Sequence, residues 1–135
     1  MICIFCFYNI SSGIQAKLSF SKIFKHCNVI TFDGNVWLCH EFDLYGIHTV
    51  KLKVFSSSSL LRGLKYIDSL IAIVTVHVEN KAKVKWKPFI VRSCNELDRY
   101  ITGIDTGFTF NPKHLYNKLT KGSGTNFEVL YHWRR

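Results

Sequence analysis

The stretch HCNVITFDGNVWLCHEF, residues 26–42, decides how this chain of 135 residues folds. Apolar residues run on either side of Asp33-Gly34, a dipeptide that supplies the positive φ angles of a tight hairpin turn. The stretch therefore predicts two antiparallel strands. The length of the turn decides which of their polar side chains meet.

Two turn lengths give two different neighbours for His26. A two-residue turn at Asp33-Gly34 places His26 directly opposite Glu41, with Cβ atoms about 5 Å apart. A carboxylate in that place fixes the tautomer of the imidazole and raises its pKa. A three-residue turn instead places His40 on the face of His26 and turns Glu41 away. We favour Glu41, because Asp-Gly is a strong signal for the shorter turn, and His40 is the alternative.

The rest of the chain predicts more strands and a few helices. Alternating or continuous apolar runs indicate strands at 46–55, 69–79, 82–91 and 127–135. Capping residues indicate helices after the serines 56–59, after Ser93 and after Asn111-Pro112. This order predicts an α+β fold, an antiparallel sheet of about five to six strands with two or three helices packed on it. Residues 20–135 form its single domain, and residues 1–19 are an N-terminal extension or an extra strand.

The chain is strongly basic, with 18 Lys and Arg against 9 Asp and Glu and a formal charge of +9. Such a charge attracts anionic partners, nucleic acid among them. A stripe that could hold phosphates and stack a base is formed by Lys81, Lys83, Lys85, Trp86 and Lys87. Alternating lysines also protect edge strands from aggregation. A basic binding module is therefore the alternative function.

Five cysteines at irregular spacing do not indicate a disulfide framework, so a reduced, cytoplasmic setting is expected. Cys3 and Cys6 form a C-x-x-C without a second pair, and we predict neither a metal site nor a cofactor. The apolar residues 1–8 are too few to span a bilayer and follow no basic region. We therefore expect no secretory signal and no transmembrane segment.

A second stretch, WKPFIVRSCNELDRYITGI at residues 86–104, places a cysteine where a helix begins. Helical spacing is shown by Leu97, Tyr100, Ile101 and Ile104. Cys94 then lies in the first turn, where the helix dipole favours the thiolate. The backbone N–H groups of Cys94 and Asn95 could stabilise an oxyanion on an attacked carbonyl. An inert buried cysteine is the alternative interpretation.

Two segments together resemble a known family. FKHCNVITFDGNVWLCHE (24–41) followed much later by SCNELDRYITGI (93–104) is similar to the circularly permuted NlpC-like branch of the papain-like cysteine peptidases. That branch includes lecithin-retinol acyltransferase-like enzymes and small phage-encoded proteins. The similarity extends over about residues 20–121, and NPKHLYNKL (111–119) resembles a helix of the phage-encoded members.

The resemblance implies a permuted papain-like fold and a thiol hydrolase or acyltransferase. Cys94 would be the nucleophile, His26 the base, and Glu41 the residue that orients His26. Family members often carry an aspartate at that third position, and acyltransferase-like members carry a histidine, so His40 stays open as an alternative. The implied partner is a peptide or acyl substrate, and a phage-related source is also implied. Some members of such folds lose the active-site cysteine and only bind.

Overall fold

A computed structural model of the chain describes residues 1–9, 21–43, 46–79, 93–107, 109, 111–122 and 126–135. Its strands are β1 (Ile2–Tyr8), β2 (His26–Phe32), β3 (Trp37–Asp43), β4 (Gly46–Leu52), β5 (Leu70–Val78) and β6 (Phe127–Arg134). Its helices are α1 (Ser57–Leu64), α2 (Cys94–Thr102) and α3 (Pro112–Thr120). The predicted α+β class, an antiparallel sheet with helices packed on it, is confirmed. The strand predicted at 82–91 lies outside the described residues.

β1 lies in the interior of the sheet, whose strand order is β4-β3-β2-β1-β5-β6. Each neighbouring pair of strands is antiparallel. The side chains from Cys3 to Phe7 are fully buried. Of residues 1–19, predicted as an extension or an extra strand, Ile2–Tyr8 thus form a strand that pairs with β2 and β5. The apolar start of the chain is therefore part of the core of the same sheet.

The core has two parts, one on each face of the sheet. The part shared with α2 and α3 includes Phe5, Phe7, Val74, Leu115 and Leu119. The part shared with α1 includes Ile4, Ile30, Trp37, Leu60 and Leu64. Successive residues of a strand enter opposite parts, as the two-residue period of a strand requires. Each large apolar side chain buried in this way contributes about 1.5–3 kcal/mol, which holds the helices on the sheet.

Polar side chains cap the start of each described helix. Ser56, Ser93 and Asn111 each accept a hydrogen bond from the backbone N–H three residues later, at the starts of α1, α2 and α3. Gly103 ends α2 in the left-handed conformation, with φ of 67°, and donates its N–H to the Arg99 carbonyl. Such caps contribute about 1 kcal/mol each. They fix where α2 begins, and the sequence prediction of a start near Ser93 is confirmed.

The turn between β2 and β3 is longer than either predicted turn. Residues 33–36 connect the two strands. The carboxylate of Asp33 causes this length, because its Oδ1 accepts hydrogen bonds from the backbone N–H groups of Asn35 (2.8 Å) and Val36 (3.1 Å). Gly34 supplies the positive φ, 107°, that the turn needs.

This register corrects the predicted neighbours of His26. Val29 lies opposite His40, so continuing the pairing makes Glu41 a diagonal neighbour of His26 on the same face. The prediction of direct opposition is wrong, since it assumed a turn two residues shorter. The alternative that brought His40 to the face of His26 is also wrong, because His40 lies on the other face.

Candidate active site

The start of α2 packs against the part of the sheet where β2 begins. Cys94 is the first residue of the helix and is only 6% exposed. Its neighbour Asn95 is buried and donates its side-chain N–H groups to the carbonyl (2.8 Å) and hydroxyl (3.0 Å) oxygens of Thr109. These bonds fix the first turn of the helix to the segment that follows it. The thiol is thus held in one place.

His26 lies between this thiol and a carboxylate. Its Nε2 atom is 3.3 Å from Oε1 of Glu41, and the side chain of His26 is 13% exposed against 50% for Glu41. The Cys94 side chain is hydrogen bonded to the same imidazole. The ring of Tyr8 lies 6.0 Å from the imidazole, centre to centre. The structure therefore brings the three predicted residues Cys94, His26 and Glu41 into one cluster.

The surroundings of Cys94 favour its thiolate. Hydrogen bonds from Cys27 have the largest effect and lower the pKa of Cys94, whereas burial acts in the opposite direction. The hydrogen bond and positive charge of His26 lower the pKa further. The net result is a pKa well below that of an ordinary thiol.

The pKa of His26 moves in the complementary direction. Burial has the largest single effect and lowers it, because a charged imidazole loses its hydration. The hydrogen bond and charge of Cys94, followed by the charge of the nearby Glu41 carboxylate, together outweigh burial, and the pKa of His26 is raised. A thiolate beside an imidazolium is therefore favoured over the two neutral groups.

Two further members of the cluster, Cys27 and Asp98, were not predicted from the sequence. Cys27 follows His26 on β2, is fully buried, and is hydrogen bonded through its side chain to Cys94. Asp98 is also fully buried, and its two carboxylate oxygens have no hydrogen-bond partner among the described residues. Burial first, and then the charge of Cys94, raise the pKa of Asp98 well above its ordinary value. The signal for Asp98 was its spacing of four residues from Cys94, which places both side chains on one face of a helix.

The buried face of α2 is wider than the apolar face that the sequence predicted. Leu97 is buried as predicted, whereas Tyr100 is 55% exposed. Cys94, Asp98 and Thr102 are buried as well, at spacings of four residues. Thr102 satisfies its hydroxyl by donating to the Asp98 carbonyl at 2.7 Å. The helix thus buries a polar stripe because that stripe meets the polar groups at the start of β2.

His40, the alternative third residue, belongs to another hydrogen-bond network. Its Nε2 lies 2.9 Å from the Thr31 hydroxyl and its Nδ1 lies 3.0 Å from the Thr49 hydroxyl. Burial lowers the pKa of His40, which favours the neutral ring. Both ring nitrogens are engaged on the face away from His26. His40 is therefore not placed to orient His26.

The predicted oxyanion donors are the backbone N–H groups of Cys94 and Asn95. These are the first two positions of α2, where N–H groups have no acceptor within the helix. The side chain of Asn95 therefore anchors the helix, while its backbone N–H lies at the start of α2 and is free of any acceptor within the helix. The predicted anion-binding residues, Lys81, Lys83, Lys85, Trp86 and Lys87, lie outside the described residues.

Within the described ranges, no group of three or more His, Cys, Asp or Glu side chains is arranged to hold a metal ion. All five cysteines are free thiols. None of the helices that the structure describes is long and apolar enough to cross a membrane.

Comparisons with known proteins gave no match: no protein-family model, no curated protein and no solved structure matches the chain. The chemistry of the cluster is therefore inferred from its geometry and from the resemblance of its motifs.

Proposed function

We propose that this protein is a thiol hydrolase or acyltransferase that acts on an amide, isopeptide or thioester. The observation that carries the proposal is the cluster at the start of α2, where Cys94 is hydrogen bonded to His26 and His26 lies 3.3 Å from Glu41. A nucleophile, a base and a group that orients the base are the three parts that thiol catalysis needs.

Each residue has one task in the proposed reaction. The Cys94 thiolate attacks the carbonyl carbon of the substrate, and the N–H groups of Cys94 and Asn95 stabilise the oxyanion that forms. His26 then protonates the leaving amine or thiol and afterwards takes a proton from the water or acceptor that releases the acyl group. Glu41 lies against Nε2, which leaves Nδ1 of His26 to exchange the proton with the sulfur.

The chain order of these residues supports a permuted papain-like enzyme. The histidine is at the start of a strand, the carboxylate is on the next strand, and the cysteine begins a later helix. This is the order that the resemblance to the NlpC-like branch implies. A phage-related source is part of the same proposal.

The test is the pH dependence of iodoacetamide labelling, followed for each cysteine by peptide mass spectrometry. We expect Cys94 to be labelled well below pH 8.5, about the pKa of an ordinary thiol. Cys39 is an internal control, because it is less buried than Cys94 while its pKa is raised to about 11, with burial as the main cause. If exposure alone governs labelling, Cys39 reacts before Cys94 and the proposed nucleophile is wrong.

The companion assay measures the release of amines and thiols from peptide amides, isopeptides and thioesters. We expect Cys94→Ala to abolish turnover, since Cys27, the other thiol of the cluster, is fully buried and burial raises its pKa. The expected cost in unfolding free energy is about 1 kcal/mol, because one buried sulfur is removed. Turnover that survives in Cys94→Ala would contradict the proposal.

A second candidate, a basic binding module on the same fold with its chemistry lost, is supported by the net charge of +9. Its anion-binding stripe would be residues 81–87. Affinity for nucleic acid would then fall steeply with salt and would be the same in Cys94→Ala as in the native chain. Cys94 labelling that follows an ordinary thiol titration would favour this candidate.

A further inference from the structure

Cys27 is a second thiol in the cluster for which the proposed reaction has no use. It is fully buried on β2, and Cys94 at the start of α2 belongs to the same core cluster. The two side chains are hydrogen bonded to each other. The backbone of Cys27 is also hydrogen bonded to the Cys94 sulfur. The two sulfurs are thus neighbours, although 66 residues lie between Cys27 and Cys94 in the sequence.

We propose that Cys27 and Cys94 are an oxidation site, at which a peroxide converts the two thiols into a reversible disulfide that blocks the nucleophile. The inference rests on the proposed function in one respect, the thiolate character of Cys94. It adds a regulatory chemistry that the acyl-transfer reaction does not need.

The oxidation has two steps, and hydrogen peroxide is the oxidant. The Cys94 thiolate attacks one peroxide oxygen, the O–O bond breaks, and the products are Cys94 sulfenic acid and hydroxide. The Cys27 sulfur then attacks the Cys94 sulfur, an S–S bond forms, and the sulfenic hydroxyl leaves as water with the Cys27 proton. Two electrons pass from the two sulfurs to the peroxide.

The surroundings of Cys27 change between the two steps in a way that favours the second step. Before oxidation Cys27 is hydrogen bonded to the Cys94 thiolate, and burial, that bond and the charge of Asp98 raise the pKa of Cys27. Oxidation of Cys94 removes the negative charge and the acceptor of that bond. Cys27 is then a thiol held against an electrophilic sulfur, and proximity offsets its low content of thiolate.

The other cysteines are less suited to either step. Cys39 is the most exposed of the five, but its raised pKa keeps it a thiol at neutral pH. Cys6 packs on the other face of the sheet, with the core of α1, and burial raises its pKa. Cys3 lies further along β1, opposite Thr31, whereas Cys27 pairs with Phe7. Cys27 is therefore the thiol that is placed to resolve an oxidised Cys94.

The experiment treats the full chain with hydrogen peroxide and maps disulfides by mass spectrometry without reduction. We expect a cross-linked peptide that joins Cys27 to Cys94, with the loss of two hydrogen atoms. Dithiothreitol should restore both thiols. Dimedone, which traps sulfenic acid, should label Cys94 strongly in Cys27→Ser and weakly in the native chain, because serine keeps a hydrogen-bond donor beside Cys94 but cannot form a disulfide. Cys39→Ala is the matched control and should form the same cross-link as the native chain.

The outcomes distinguish a failure of the disulfide from a failure of the proposed function. A native chain in which Cys94 is trapped by dimedone as strongly as in Cys27→Ser overturns the disulfide, while the activated thiolate stands. Peroxide that oxidises Cys39 and leaves Cys94 unchanged overturns both. Because the native chain alone shows whether the cross-link forms, the inference is decided even if Cys27→Ser folds poorly.

Discussion

His26 and His40 lie on neighbouring strands, but the structure gives them opposite properties. His40 is held between two threonine hydroxyls, and burial lowers its pKa. His26 is held between a thiol and a carboxylate, and its pKa is raised although burial opposes the charge. The same side chain is thus a neutral link between strands in one place and a partner for a thiolate in the other. The neighbours across the sheet decide which.

Removing each imidazole in turn tests the difference between His26 and His40 most directly. His26→Ala deletes the hydrogen bond and the positive charge that lower the pKa of Cys94. We expect the rate of Cys94 labelling at neutral pH to fall about tenfold, because each unit by which the pKa rises above the solution pH lowers the thiolate fraction about tenfold. The measurement is labelling rate against pH, with the midpoint for Cys94 moving upward.

His40→Ala is the matched control for that experiment. It should leave the Cys94 labelling profile unchanged and lower the unfolding free energy by about 1–3 kcal/mol, since the buried Thr31 hydroxyl loses its partner. If both variants change the labelling profile alike, His26 does not act on the Cys94 thiol in a way that His40 does not.

Asp98 offers a second test, through the pH dependence of stability. Its pKa is raised in the folded chain, so its contribution is fully present below the unfolded pKa of about 3.9 and is lost as pH rises through the folded pKa. Within that window stability should fall by at most about 1.4 kcal/mol per pH unit from this group. Asp98→Asn should flatten this slope, as measured by urea unfolding at several pH values.

The control for Asp98→Asn is Asp68→Asn, which changes an exposed aspartate. It should keep the slope of the native chain. A native slope that Asp98→Asn leaves untouched would mean that the carboxylate does not resist ionisation in the folded state.

Glu41→Gln should have a smaller effect than His26→Ala or Asp98→Asn. The carboxylate is half exposed, so solvent screens its charge on His26. We expect Cys94 labelling at neutral pH to slow by a few-fold, because the amide still fits beside Nε2 but no longer favours the imidazolium. Glu128→Gln, on the exposed side of β6, is the control. A Glu41→Gln effect as large as that of His26→Ala would make the carboxylate more than an orienting group.

Local signals predicted most of the fold. The Asp33-Gly34 pair indicated the hairpin, and Ser93 and Asn111 marked the starts of two helices because a cap satisfies backbone N–H groups within a few residues. The turn length was not predictable in the same way, since one Asp33 oxygen accepting two N–H groups lengthened it by two residues. A register depends on such details, and the predicted pairing of His26 failed there.

Local sequence signals were enough to predict the α+β class, a helix that begins near Ser93 and a strand that begins at His26, because periodicity and caps act over a few residues. That Glu41 rather than His40 meets His26 depends on the register of the strands. That Cys27 and Asp98 join Cys94 depends on how α2 packs against the sheet. The pKa of the buried Cys94 thiol is set by residues far away in the sequence, so a local sequence pattern cannot predict it.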